Sequence, residues 1–122
     1  MPLLPRYSFG VVSDLHVNRD DNGAPDDIER MFRAFENRKV KDVFCCGDIT
    51  SSHTTAQLSA FSAIKDRHPG VRFCSCNGNH DVGLTDADWQ TYVGHSLRHS
   101  FAMGGDAFIF MPIAIWEGSH PY

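Results

Sequence analysis

Three short apolar runs, each closing on a polar tip, constrain this chain more than any other feature. Tyr7-Ser8-Phe9-Gly10-Val11-Val12-Ser13 ends in Asp14-Leu15-His16, and Val40 to Cys46 ends in Gly47-Asp48. Val71-Arg72-Phe73-Cys74-Ser75-Cys76-Asn77 ends in Gly78-Asn79-His80-Asp81. Runs rich in β-branched and aromatic residues read as strands. Between the first two, Ile28, Met31, Phe32 and Phe35 recur at i, i+3, i+4 and i+7, one buried face of a helix over about residues 25–37. Pro25, Asp26 and Asp27 suit its first turn. Between the second and third, Leu58, Phe61 and Ile64 mark the inner side of a helix over about 54–67, stopped by His68-Pro69-Gly70. Strand, helix, strand, helix, strand at this spacing predicts an α/β fold of βαβ units with a parallel sheet. Right-handed crossovers then bring all three polar tips to one sheet edge, where open α/β sheets place their ligand sites.

After the third tip, Thr85-x-x-Asp88 forms a capping box ahead of a short helix to about Val93, with Trp89 and Tyr92 on one side. Ser100–Met103 and Ala107–Ile115 read as a strand pair around the turn Gly104-Gly105-Asp106. The expected architecture is a parallel sheet with helices on its faces, followed by an antiparallel strand pair. At 122 residues the chain has room for one domain with one core, spanning 1–122. The polar stretch from Asn18 to Asp27, with Gly23 and Pro25, reads as a loop.

A net charge of −4 gives no electrostatic footprint for nucleic acid or an anionic membrane. An acidic protein that handles phosphate must neutralise it locally, and metal ions can do so. No stretch approaches the roughly 20 apolar residues of a membrane span. Met1-Pro2-Leu3-Leu4-Pro5-Arg6 is too short and proline-rich for a signal peptide, so the cytoplasm is the expected compartment. Neither Cys45-Cys46 nor Cys74-x-Cys76 has the C-x₂₋₄-C spacing of a zinc site. All four cysteines are expected to be buried, reduced thiols, a disulfide between neighbouring strands being disfavoured in a cytosolic chain.

The tips carry the chemistry. Asp14 and His16, two apart in an extended segment, point to the same side. Asp48, Asn79, His80 and Asp81 add carboxylates, an amide oxygen and an imidazole, and Gly78 lets the backbone turn sharply before them. This mixture suits divalent transition metals. One aspartate can bridge two metals, and a pair about 3.5–4 Å apart can hold a hydroxide and clamp phosphate oxygens in line. The favoured reaction is phosphoester hydrolysis.

Asp14-x-His16, Gly47-Asp48 and Gly78-Asn79-His80-Asp81, in this order and each at a strand end, resemble the first three sequence blocks of the calcineurin-like metallophosphoesterases. The Ser100–Ile115 stretch resembles the strand pair after the third block, so the likeness covers nearly the whole chain. The resemblance implies the N-terminal half of the family's four-layer fold and two divalent metal ions, such as Mn, Fe or Zn. It implies that Asp14 and His16 ligate one metal, that Asp48 bridges both and that Asn79 ligates the second. His80 would lie beside the phosphate, stabilise the transition state and protonate the leaving oxygen, with Asp81 orienting it through a hydrogen bond. His53, near the second tip, is a weaker candidate for substrate contact, against the plainer reading of a solvated loop histidine. The substrate would be a phosphoester, with nucleotides among the candidates.

Ser51 stands where the purple acid phosphatases carry a tyrosine, which disfavours an iron–tyrosinate site. Gly47-Asp48-Ile49-Thr50, and Asp81 in place of glutamate, look closer to the cyclic-nucleotide-phosphodiesterase-like branch. Two later family blocks, a lone histidine and a Gly-His-x-His, have no counterpart: Gly94-His95-Ser96 runs into Leu97, and His120 is two residues from the end. The domain is therefore expected to be incomplete at its C-terminus. The alternative function is a non-catalytic or truncated protein-binding scaffold that keeps the phosphoesterase fold. A half-domain would expose an edge and a face, so a homo-oligomer is also expected. His68, His95 and His99 read as helix-end or surface residues.

Overall fold

The computed structural model describes residues 7–17 and 24–113. Strands β1 (Gly10–Val12), β2 (Asp42–Cys45) and β3 (Arg72–Ser75) form a parallel sheet in that order, with β2 in the centre. The register pairs Val12 with Cys45 and Cys45 with Ser75. Helix α1 (Ala24–Asn37) joins β1 to β2, and α2 (Thr55–Asp66) joins β2 to β3. Helix α3 (Asp86–Tyr92) precedes the antiparallel hairpin of β4 (His99–Met103) and β5 (Asp106–Phe110).

Side-chain alternation along β2 divides the core in two. Val43 and Cys45 face Ile28 and Phe32 of α1, Leu58, Phe61 and Ile64 of α2, and Trp89 of α3. Phe44 and Cys74 point the other way and pack with Phe110, Phe101 and Phe108 of the hairpin. The sheet thus has helices on one face and the hairpin on the other. Burial on both faces of β2 and β3 is why those two strands read as continuous apolar runs rather than alternating ones, whereas Val11 of β1 is exposed. The strands are shorter than the apolar runs because ladder pairing covers only their middles. Positions 114 and 115 of the expected last strand lie outside the described residues.

Local signals match the elements they predict. Thr54 Oγ1 accepts from Gln57 N at 3.2 Å, capping α2. Thr85 and Asp88 form the capping box of α3, with reciprocal bonds of 3.1 and 2.9 Å. Gly104 and Gly105 take φ of 61° and 87°, left-handed values that suit the tight turn between β4 and β5. β3 is the edge strand of the described sheet, and the outer backbone groups of its last residue, Ser75, are covered. Ser75 N donates to His95 Nε2 at 3.1 Å, and Trp89 Nε1 donates to Ser75 O at 3.3 Å.

Two sequence expectations need correction. His68 stands at the end of α2, one of the two expected places, but it is not on the surface. It is buried, stacked on Phe32 at 5.0 Å, with Nε2 2.8 Å from Glu29 Oε1 and Nδ1 against Glu36. It ties the end of α2 to α1 through two carboxylates two turns apart on one face of that helix. His95 is likewise half-buried and stacks on His99 at 4.4 Å. Nor are all four cysteines buried. Cys45 and Cys74 are, Cys76 is half-buried, and Cys46 is exposed, because it lies one residue past β2 where the hairpin no longer covers the sheet. Among the described residues, no helix is long and apolar enough to cross a membrane.

Candidate metal centre

Beyond the ends of β1 and β2 the two backbones continue side by side. Asp14 N donates to Gly47 O (3.0 Å), His16 N to Asp48 O (3.0 Å) and Val17 N to Ile49 O (2.9 Å). These bonds set Asp14 and His16 against Asp48. The segment is not extended there, as the sequence suggested. Asp14, His16 and Asp48 have φ of 58°, 44° and 58°. Their side chains meet because the backbone coils left-handed, not because of a strand pleat. Each such residue costs roughly 1–2 kcal/mol, and strain of this kind gathers at functional sites.

The tips of β2 and β3 also meet, at two glycines. A Cβ on Gly47 would lie 2.6 Å from Gly78 N, and one on Gly78 would lie 2.0 Å from Asp48 Oδ1. Only bare backbone fits between them. The approach lets Asp48 Oδ1 accept from His80 N at 2.9 Å.

Four side chains converge on the space between the tips. His16 Nε2 stands 3.7 Å from Asp14 Oδ1 and 3.8 Å from Asp48 Oδ2. The rings of His16 and His80 meet edge to face at 4.8 Å. Donor atoms of His16, Asp48 and His80 all lie within 4.8 Å of one another. The 3.7–3.8 Å separations are too long for hydrogen bonds. They suit neighbouring ligands each about 2.0–2.1 Å from a shared cation. Nitrogen and carboxylate donors in this spacing fit a divalent metal.

His80 is held from behind. Its Nδ1 lies 2.9 Å from Ser51 O. A carbonyl only accepts, so Nδ1 carries the hydrogen and Nε2 is left to face the cluster. Asp81 does not supply the orienting bond to the imidazole that the sequence suggested. Its carboxylate is fully buried. Oδ2 accepts from Gly78 N (2.9 Å) and Ile49 N (3.2 Å), and Oδ1 from Thr50 N (2.9 Å) and Thr50 Oγ1 (2.8 Å). Asp81 therefore clamps the β2 tip to the β3 tip, and His80 is aimed by a loop carbonyl. The physical reason is geometric: the one-turn 3₁₀ helix Asn79–Asp81 points successive side chains in different directions, so Asp81 goes inward while His80 stays exposed.

Asn79 opens that turn and is exposed beside His80. His53, at φ 47°, lies against Gly83 and is not part of the His16, Asp48 and His80 group. Two residues that sequence reasoning passed over hold the site together. Thr50 Oγ1 contacts Asp81 Oδ1, lies 3.1 Å from His80 O and accepts from His53 N at 3.1 Å. Ser51 supplies the carbonyl for His80. The available signal was the hydroxyl pair directly after Gly47-Asp48-Ile49.

The Ser13 hydroxyl, and after it the neighbouring His16, hold the Asp14 carboxyl below its ordinary range, so it stays an anion facing the cluster. A cavity of about 290 Å³ opens beside Asp14 and His16. Leu15 and, on α1, Ala24, Asp27, Ile28 and Met31 complete its lining.

Residues 8–115 match the family model for the calcineurin-like phosphoesterase superfamily domain, a span that contains every residue of this cluster. The chain belongs to that superfamily. No curated protein matches it. A calcineurin-like phosphoesterase domain carries metal-dependent phosphoester hydrolysis as its general chemistry, with divalent metals and a phosphoester substrate. The parallel sheet, its helices and the strand pair that follows agree with the N-terminal half of that fold.

Proposed function

We propose that this calcineurin-like domain hydrolyses a phosphoester at the cluster formed by the three strand tips. The observation that carries the reading is the convergence of His16, Asp48 and His80 from three separate tips, with donor atoms within 4.8 Å of one another and Asp14 Oδ1 3.7 Å from His16 Nε2. Asp14, His16, Asp48 and Asn79 are the residues that would hold divalent metal there, and metal so held would neutralise phosphate charge and activate water at neutral pH.

The chain's own residues do the rest. Asp48, fixed by the His80 amide, keeps its second oxygen turned to His16. His80, with Nδ1–H on Ser51 O, presents Nε2 to the phosphate, where the protonated ring donates to the leaving oxygen. Asp81 works behind it by keeping the two tips in place. The apolar part of the cavity, Leu15, Ile28 and Met31, takes the organic group of the ester. The likeness of Gly47-Asp48-Ile49-Thr50 and Asp81 to the cyclic-nucleotide-phosphodiesterase-like branch makes Mn²⁺ the first ion to try and a phosphodiester the first substrate.

The test is hydrolysis of an aryl phosphodiester after reconstitution with Mn²⁺, alongside metal analysis. His80→Ala is expected to lower kcat about 10²–10⁴-fold, the usual contribution of a positioned acid, while leaving stoichiometric metal in place. Asp48→Asn is expected to lose the metal itself. A reconstituted wild-type protein that retains no metal would refute the proposal and leave the scaffold reading standing.

A further inference from the structure

We infer that Cys46 and Cys76 form a thiol–disulfide modification site across the tips of β2 and β3, oxidised reversibly by a small-molecule disulfide of the glutathione class. The register pairs Cys45 with Ser75, and the ladder continues one step through Cys76 N donating to Cys45 O at 3.3 Å. Cys46 and Cys76 are the next opposed positions. Both follow the alternation of Phe44 and Cys74, so they share one face of the sheet. Neighbouring strands run about 4.7–4.9 Å apart, inside the roughly 4.4–6.8 Å Cα separation that a disulfide spans. The Cys76 thiol already points into the gap, with Sγ 3.7 Å from Cys45 O. In this register no other cysteines face each other: Cys45 opposes Ser75, and Cys74 opposes Phe44.

Accessibility sets the order of events. Cys46 is exposed, Cys76 half-buried, and Cys45 and Cys74 buried. The Cys46 thiolate attacks one sulfur of oxidised glutathione, forming a mixed disulfide and releasing one glutathione thiolate. Cys76 then attacks the Cys46 sulfur, the protein disulfide forms, and the second glutathione leaves. Two protein thiols are oxidised to one disulfide, and one glutathione disulfide is reduced to two thiols. The two protons leave the protein sulfurs and end on the glutathione thiols. The bond ties together the two loops that bring Asp48 and His80 into contact, a position not shared by a structural disulfide elsewhere on a sheet.

The experiment equilibrates the whole reduced protein anaerobically across a series of oxidised-to-reduced glutathione ratios. Alkylation under denaturing conditions and peptide mass mapping follow. The expected result is loss of two of the four alkylatable thiols, a linked Cys46–Cys76 peptide, and full reversal in excess reduced glutathione. Cys46→Ser and Cys76→Ser should each abolish the link. A trivalent arsenical, which needs two close thiols, should bind the wild-type protein in one equivalent and block the cross-link, a check that requires no variant. Four thiols alkylated throughout, a glutathione adduct that stops at Cys46, or a link to Cys45 or Cys74 would each overturn the inference.

Discussion

Asp81 has the largest structural duty of any single residue near the centre. Its buried carboxylate accepts three backbone N–H groups and one hydroxyl, drawn from both tips. Asparagine has nearly the same shape but turns an N–H₂ toward donors. Asp81→Asn is therefore expected to cost about 3 kcal/mol of stability, the scale of bonds to a charged acceptor worth about 1.5–3 kcal/mol each. Urea unfolding reads that loss directly. Were Asp81 an orienting partner of His80 instead, the variant would lose turnover with little change in the urea midpoint. At the same scale, burial pushes the Cys45 thiol up to about 12 and the Cys74 thiol up to about 11, which keeps both inert in the folded chain.

Among elements, the site depends on how closely β2 and β3 bring their ends together. Gly78 has φ −98°, an ordinary value, so its requirement is spatial and not conformational. Gly78→Ala would drive a methyl into Asp48 Oδ1 and Asp48 N. We expect it to destabilise the fold by about 1–3 kcal/mol, as overpacking does, and to weaken Mn²⁺ binding more than tenfold by calorimetry. Gly70→Ala is the control: a Cβ there meets nothing within 4 Å, and both readings should stay at the wild-type value. Equal effects from the two variants would show that the tip contact has no special role.

For the molecule as a whole, the α3–β4 segment closes the sheet edge through His95. Burial lowers the tendency of His95 to take a proton below its ordinary value of 6.5. Its neutral ring accepts from Ser75 N through Nε2 while Nδ1 lies 2.7 Å from Ser96 O. Above about pH 6.5 the ring is neutral both folded and unfolded, and its contribution is complete. As pH falls through that value the unfolded chain takes up the proton first, so stability declines until the folded ring also titrates. The wild-type protein should thus lose more stability between pH 7.5 and 5.5 than His95→Gln does, measured by urea midpoints at each pH. Parallel pH profiles would exclude His95 as the edge cap.

Much of the fold was written in the sequence through periodicity. The 3.6-residue stripe of Ile28 and Phe32, the apolar runs around Val43 and Phe73 and the Thr85–Asp88 box each act over a few residues, and each appears where its pattern predicted. The polar tips were legible for the same reason: residue type and position behind a strand are local facts. Contacts between tips are not local. Thr50 meeting Asp81, Gly47 facing Gly78, Ser51 holding His80 and His68 entering between two glutamates all join residues roughly 30 to 40 positions apart. The sequence alone determined which side chains stand at the sheet edge. Only tertiary packing decided that Asp81 turns inward as a clamp, that His80 faces His16 and Asp48, and that Cys46 emerges opposite Cys76. Those outcomes depend on strand register and on left-handed backbone at three non-glycine residues, which no local pattern encodes.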